Sequence, residues 1–206
     1  MNSETPTELK ATTPTFTLSP ATEAFGRFAE EFANESDRAA VILGTAKLDS
    51  LLRQILEAHL LPCAGGHDEL LDGDAPLSTL SSRINACYRL GIINATFARC
   101  LHLIRRIRNS FAHESSGVSL DSGAHVDRVR ELITPFQQHG AFCWLLEEFF
   151  RKPITPAQNF RAAVALLCLR LDGRLEDTKT LMPQDTRDIV PPNWDENIAA
   201  GMKRDK

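Results

Sequence analysis

The chain has 206 residues, 43% of them apolar and 24% charged, enough for one domain with a real core plus appendages. Its 23 basic and 27 acidic side chains give a formal charge of −4, which excludes a uniformly basic nucleic-acid binder that grips phosphates through Lys and Arg spread over its whole surface. No stretch approaches the ~20 apolar residues needed to span a bilayer, and the N-terminus has neither the basic lead nor the apolar run of a signal peptide, so a cytoplasmic protein is expected.

The first twenty residues carry six threonines and three prolines among few large apolar groups, and such a segment reads as a mobile tail. From Ala21 the texture changes. Phe25, Phe28 and Phe32 recur at helical spacing, and Asn34 or Ser36 then offers an N-cap for a long second helix to about Leu60. Val41, Leu48, Leu52 and Ile55 share one face of that helix, while Asp49, Arg53 and Glu57 form a charged ladder elsewhere on it. Pro62 and the glycines that follow break the pattern. In Asp72-Gly73-Asp74 a calcium loop lacks its later carboxylates, so the triplet reads as a turn with Asp74 as cap for a third helix from about Leu77 to Leu90, closed by Gly91. Asn94 caps a fourth helix to about His113. Further helices are expected around Val126–Ile133, Phe142–Phe150 and Phe160–Leu171, the last introduced by Thr155-Pro156 as N-cap and first-turn proline. Beyond Asp172 the chain is polar and proline-punctuated, a second tail that Trp194 would hold against the body.

No alternating β-branched runs or tight hairpin signals occur. The expected fold is therefore all-α: a bundle of about six to seven helices over residues 21–171 with a long central antiparallel pair, a disordered tail at 1–20 and a polar extension at 172–206. The five cysteines (Cys63, Cys87, Cys100, Cys143, Cys168) are scattered without a C-x-x-C pair, so reduced and mostly buried thiols are expected. His59, His67, His125 and His139 lack metal-ligand spacing, and no phosphate loop or nucleophile elbow is present, so neither metal nor cofactor is expected.

One segment departs from the average. Between Asp74 and Glu114 there is no acidic residue but six arginines, Arg83, Arg89, Arg99, Arg105, Arg106 and Arg108, so this stretch carries +6 and the rest of the chain −10. Either these arginines pair with the surrounding acidic helices, or they receive an anionic partner. On a helical wheel His102, Arg106, Asn109 and His113 share a narrow sector opposite Phe97, Leu101, Ile104 and Phe111, which makes His102, Arg105 and Arg106 candidates for binding an anion or a partner. Arg108 falls within the apolar face so defined and would need a carboxylate, with Asp49 or Glu57 the simplest partners.

Arg108-Asn109-Ser110-Phe111-Ala112-His113, at the end of a helix in an all-α domain, resembles the R-N-x-x-x-H signature of the HEPN superfamily. That resemblance implies a metal-independent ribonuclease in which Arg108, Asn109 and His113 are catalytic. The imidazole would do acid/base work on a ribose 2′-hydroxyl, and the guanidinium would stabilise a phosphorane. Arg108 and His113 stand about 140° apart on a straight helix, so one phosphate could be held by both only across two copies.

A second resemblance covers more chain. Leu71-Asp72-Gly73-Asp74-Ala75-Pro76-Leu77, Leu80-Ser81-Ser82-Arg83-Ile84, Tyr88-Arg89-Leu90-Gly91-Ile92-Ile93 and the helix ending in His113 together resemble the mannitol operon repressor family, in an ordered match from roughly Ala40 to Leu171. This implies an all-helical regulator of transcription, and the sequence holds no helix-turn-helix with a basic recognition helix. A repressor without a base-reading element acts through a partner. The leading expectation is thus a non-enzymatic regulator that works through protein contacts, without sequence-specific DNA binding or a membrane. A ribonuclease or RNA-binding module is the second expectation, and a purely structural bundle the third. The phenylalanines, with Phe142, Trp144, Phe149 and Phe150 read as core or subunit interface, leave a homodimer open.

Overall fold

The computed structural model describes residues 20–182, apart from 64, 115, 116 and 151. The N-terminal tail at 1–19 and the segment holding Trp194 lie outside the described residues. Seven helices and no strand make up what is described: α1 (Pro20–Ala33), α2 (Asp37–His59), α3 (Leu80–Arg89), α4 (Ala95–His113), α5 (Ala124–Ile133), α6 (Gly140–Phe149) and α7 (Pro156–Glu176).

Local chemistry sets most of the boundaries. Ser36 rather than Asn34 caps α2, its hydroxyl accepting from Ala39 N at 3.2 Å. Asn94 Oδ1 accepts from Phe97 N at 2.8 Å to start α4. Thr155 and Gln158 form a reciprocal capping box at α7, with Pro156 in the first turn. The α3 cap differs from expectation. Thr79, not Asp74, fills it in a capping box with Ser82, so α3 begins at Leu80, because Asp74 stays in the preceding turn where Gly73 takes φ +58°. Gly91 closes α3 at φ +74°, and Gly91 N and Ile92 N donate back to Tyr88 O and Cys87 O at 3.0 and 2.9 Å. That turn folds α3 against α4.

The expected long antiparallel pair is α2 with α4: Arg38 at the start of α2 donates to Phe111 O at 2.9 Å and Glu114 O at 2.6 Å, at the end of α4. The centre of the bundle is nevertheless α7, which packs on α1, α2, α5 and α6 and runs parallel to α2. Asp37 meets Arg161 near the two N-termini, Gly44 meets Val164 further along, and His59 meets the chain just beyond the end of α7. Every residue from Phe160 to Cys168 is buried. A helix surrounded on all sides has no polar face to reveal it, and Ala162, Ala163 and Ala165 let its neighbours approach. Closest is the α2 crossing, where a Cβ added at Gly44 would lie 2.8 Å from Val164 Cγ1 and 2.9 Å from Phe32 Cζ.

Two buried polar links fasten this frame. Arg161 donates to Ala157 O at 2.9 Å, Glu35 O at 2.6 Å and Asp37 Oδ1 at 3.0 Å, while Asp37 Oδ2 accepts from Leu120 N and Ser119 Oγ at 2.9 and 3.0 Å. One carboxylate thus ties α7, α2 and the 117–120 loop together. Burial opposes the Asp37 charge, but the Leu120 amide, Arg161 and Ser119 outweigh it and hold its pKa below the usual carboxylate value. The second link is Arg83, buried on α3, which donates to Leu77 O at 2.9 Å and to Asp49 Oδ1 at 2.7 Å.

The helix expected to end near Leu171 continues to Glu176, and the chain then turns onto α2. Leu181 N donates to His59 O at 2.7 Å and Thr180 Oγ1 to Ala58 O at 2.9 Å, which satisfies carbonyls that the end of α2 leaves open. In the 68–77 loop Asp72 is held by Arg53 Nη2 at 2.6 Å and accepts from Asp68 N, so this carboxylate staples the loop to α2. Arg53 also meets Glu57 at 2.7 Å, whereas Asp49, the remaining member of the expected ladder, turns to Arg83.

Candidate functional site

The acid-free segment forms α3, its cap and α4. Its six arginines divide into two groups. Arg83 is paired with Asp49, and Arg99 with Glu131 at 2.6 Å. Among the described residues Arg89, Arg105, Arg106 and Arg108 have no carboxylate within salt-bridge distance. The positive charge foreseen from composition is therefore partly quenched, at buried Arg83 and at the surface pair Arg99–Glu131, and partly left unpaired on Arg89 of α3 and on Arg105, Arg106 and Arg108 of α4.

Arg108 is exposed, contrary to its expected place in the apolar face. Cys100, Leu103 and Ile107 are buried as well as Leu101, Ile104 and Phe111, which rotates the centre of the buried face by about 40° and leaves Arg108 at its rim. The two proposed partners are engaged elsewhere, Asp49 with Arg83 and Glu57 with Arg53. Arg108 Nη1 instead lies 3.3 Å from Asn109 Oδ1.

Two depressions flank this face. The inner cleft, about 360 Å³, lies between α2, the start of α3 and α4 and is lined by Ile42, Thr45, Ala46, Asp49, Thr79, Leu80, Ser81, Arg105, Arg108 and Asn109. The outer groove, about 650 Å³, lies along the solvent side of α3 and α4 and includes Asn85, Tyr88, Arg99, His102, Arg105, Arg106 and Glu131. Arg105 lines both. Its Nε is buried without a hydrogen-bond partner among the described residues.

His102 Nε2 lies 3.2 Å from Asn85 Oδ1, while Nδ1 is buried and unpartnered. Burial, and then the charges of Arg105 and Arg106, push the His102 pKa down, so at neutral pH the ring is uncharged. Of the residues expected to bind an anion, Arg105 and Arg106 supply charge and His102 supplies hydrogen-bonding capacity.

Of the ribonuclease-like set, Arg108 and Asn109 line the inner cleft; His113 does not. His113 is exposed at the last position of α4, where Arg38 rather than the imidazole occupies the carbonyls of the helix end. One copy of the chain thus gathers two members of the motif and leaves the third outside.

Several residues of this region escape sequence reasoning. Ser81 and Thr79 enter the cleft because the α3 cap sits five residues later than Asp74 suggests, whereas Asp49, named above as a candidate partner of Arg108, does line the cleft with it. The Arg161–Asp37 link has no local signal, since its members are separated by 124 residues. Cys87, Cys100 and Cys168 are buried, with burial raising their thiol pKa to about 12, 11 and 12, while Cys63 is exposed. No group of three His, Cys, Asp or Glu side chains that could hold a metal ion occurs among the described residues, and no described helix is long and apolar enough to cross a membrane.

No family model matches the chain, and no curated protein matches it. Among solved structures, the X-ray structure of the MtlR-HPr complex from Escherichia coli contains a chain 21% identical to this one, with 74% of this chain and 98% of that chain covered and a TM-score of 0.49. The likeness is one of helical arrangement and assigns neither ligand nor partner.

Proposed function

We propose that the protein is a non-enzymatic regulator that docks an acidic surface of a partner protein on the arginine face of α4, without reading DNA itself. The observation that carries this reading is the set Arg105, Arg106 and Arg108: three guanidiniums on one helix, without a carboxylate in salt-bridge distance among the described residues, beside an open groove of about 650 Å³. Such a surface attracts and orients an acidic partner, and removal of one charge slows association and weakens its salt dependence. The resemblance of the 71–113 block to mannitol operon repressors directs the regulation toward transcription.

The test is capture of partners from the native host at two salt concentrations, with Arg106→Glu as the matched bait. Arg106 is exposed, so its reversal leaves the fold intact. A protein partner that is retained by the parent, weakened by salt and lost with Arg106→Glu supports the reading. The same proteins on both baits would sink it. So would RNA as the retained species, and RNA cleavage abolished by His113→Ala would establish the ribonuclease reading in its place, which the joint presence of Arg108 and Asn109 in the inner cleft favours.

A further inference from the structure

The outer groove and the inner cleft differ in their linings, and the protein-docking reading seats its partner along the first while sharing Arg105 and Arg108 with the second. At about 360 Å³ the inner cleft is too small for a protein surface and lies within the range of small-molecule sites. The α4 side of the lining supplies Arg105, Arg108 and Asn109; the α2 and α3 side supplies Ser81 and the apolar residues Ile42 and Leu80. Asp49 is the acidic residue in the lining, and Arg83 neutralises it from behind at 2.7 Å. Arg105 and Arg108 are therefore left without a carboxylate in salt-bridge distance among the described residues.

We infer that this cleft binds a small molecule bearing a phosphate monoester, whose oxygens sit between Arg105 and Arg108 while its body lies on Ile42 and Leu80. Two arginines in the lining of one cleft suit an anion of charge near −2 with several acceptor oxygens, since each guanidinium can present two parallel N–H donors. The apolar wall favours an organic phosphate over the inorganic ion. This inference shares Arg105 and Arg108 with the docking proposal but is tested apart from it, by direct binding to the purified full chain.

Phenyl phosphate is a suitable probe, titrated calorimetrically and followed by amide NMR, with phenol and inorganic phosphate in parallel. Saturable binding of phenyl phosphate is expected, tighter than that of inorganic phosphate, with none from phenol. Chemical shifts should move at Thr79–Ser81 and at the Asn109 side-chain amide. Arg108→Gln and Arg105→Gln should each weaken binding by about tenfold or more, the loss that accompanies removal of a charge-assisted hydrogen bond. Arg89→Gln, outside the cleft, should leave it unchanged. No saturable binding, an equal loss with Arg89→Gln, or shifts confined to the outer groove would overturn the inference. A phosphoserine peptide that binds tighter than phenyl phosphate with the same arginine dependence would overturn it too, by assigning the cleft to a phosphorylated chain.

Discussion

Replacing Asp37 with Asn removes one charge from the junction of α7, α2 and the 117–120 loop and leaves the outline of the side chain in place. Arg161 keeps its bonds to Glu35 O and Ala157 O but loses its carboxylate, at 3.0 Å in the parent. The amide can also present only one oxygen where the carboxylate presents two, so either Arg161 or the Leu120 and Ser119 donors lose an acceptor. Breaking a fully buried ion pair costs about 3–5 kcal/mol. Here the Asp37 side chain is 20% exposed and Arg161 retains two carbonyls, which lowers the expected cost to about 2 kcal/mol, in the range of a hydrogen bond to a charged group. For a domain of this size that is a fall in Tm of roughly 4–8 °C. The assay is thermal and urea unfolding of the parent, Asp37→Asn, Arg161→Met and the double variant, with coupling read from the cycle. The pH dependence supplies a second check. Because the folded pKa of Asp37 lies below its unfolded value, its contribution is fully present above about pH 4 and is lost as pH falls through the folded value, so Asp37→Asn should flatten the acid limb of the stability curve. A loss under about 0.5 kcal/mol, additive single variants, or an unchanged acid limb would show that the pair does not fasten the bundle.

Gly44→Ala should destabilise by about 1–2 kcal/mol despite the better helix propensity of alanine, because the new Cβ would lie 2.8 Å from Val164 and 2.9 Å from Phe32 in a packed crossing; a Tm at or above the parent would refute the close approach. Thr155→Ala removes the hydroxyl that accepts from Gln158 N at 3.3 Å and should cost about 1 kcal/mol in urea unfolding, most of it restored by Thr155→Ser. With a thiol reagent under native conditions Cys63 should react first and Cys143 more slowly, while Cys87, Cys100 and Cys168 wait for unfolding; rapid labelling of all five thiols would contradict the burial described.

Where the chain carries its own local signal, the sequence reading and the structure agree closely. Ser36, Asn94, Thr155-Pro156 and Gly91 each act on the nearest turn of backbone, so their effect can be read from a few neighbouring residues. Asp74 misled because two cap candidates, Asp74 and Thr79, precede the same helix, and the reciprocal bond with Ser82 favours the second. Arg108 misled for a different reason. A wheel drawn from the largest apolar residues omitted Cys100, Leu103 and Ile107, and the width of a buried face depends on how many neighbours surround it. The candidate site was legible in the charge of the acid-free segment and in Arg105, Arg106, Arg108 and Asn109. The angle of about 140° between Arg108 and His113 was legible too; the division of the site into two clefts was not.

That this protein is a bundle of helices, approximately where each begins and ends, and that its net charge of −4 conceals a +6 segment can all be read along the chain. Those properties follow from periodicity, capping and composition, which act over a few residues or sum along the chain. It took the packed bundle to place α7 at the centre parallel to α2, to give Arg83 and Arg99 acidic partners while leaving Arg105, Arg106 and Arg108 without one among the described residues, and to set Arg105 in the lining of two clefts. Which carboxylate reaches which guanidinium depends on distances of a few ångströms between residues tens of positions apart. Packing sets those distances, and the order of residues in one helix does not contain them.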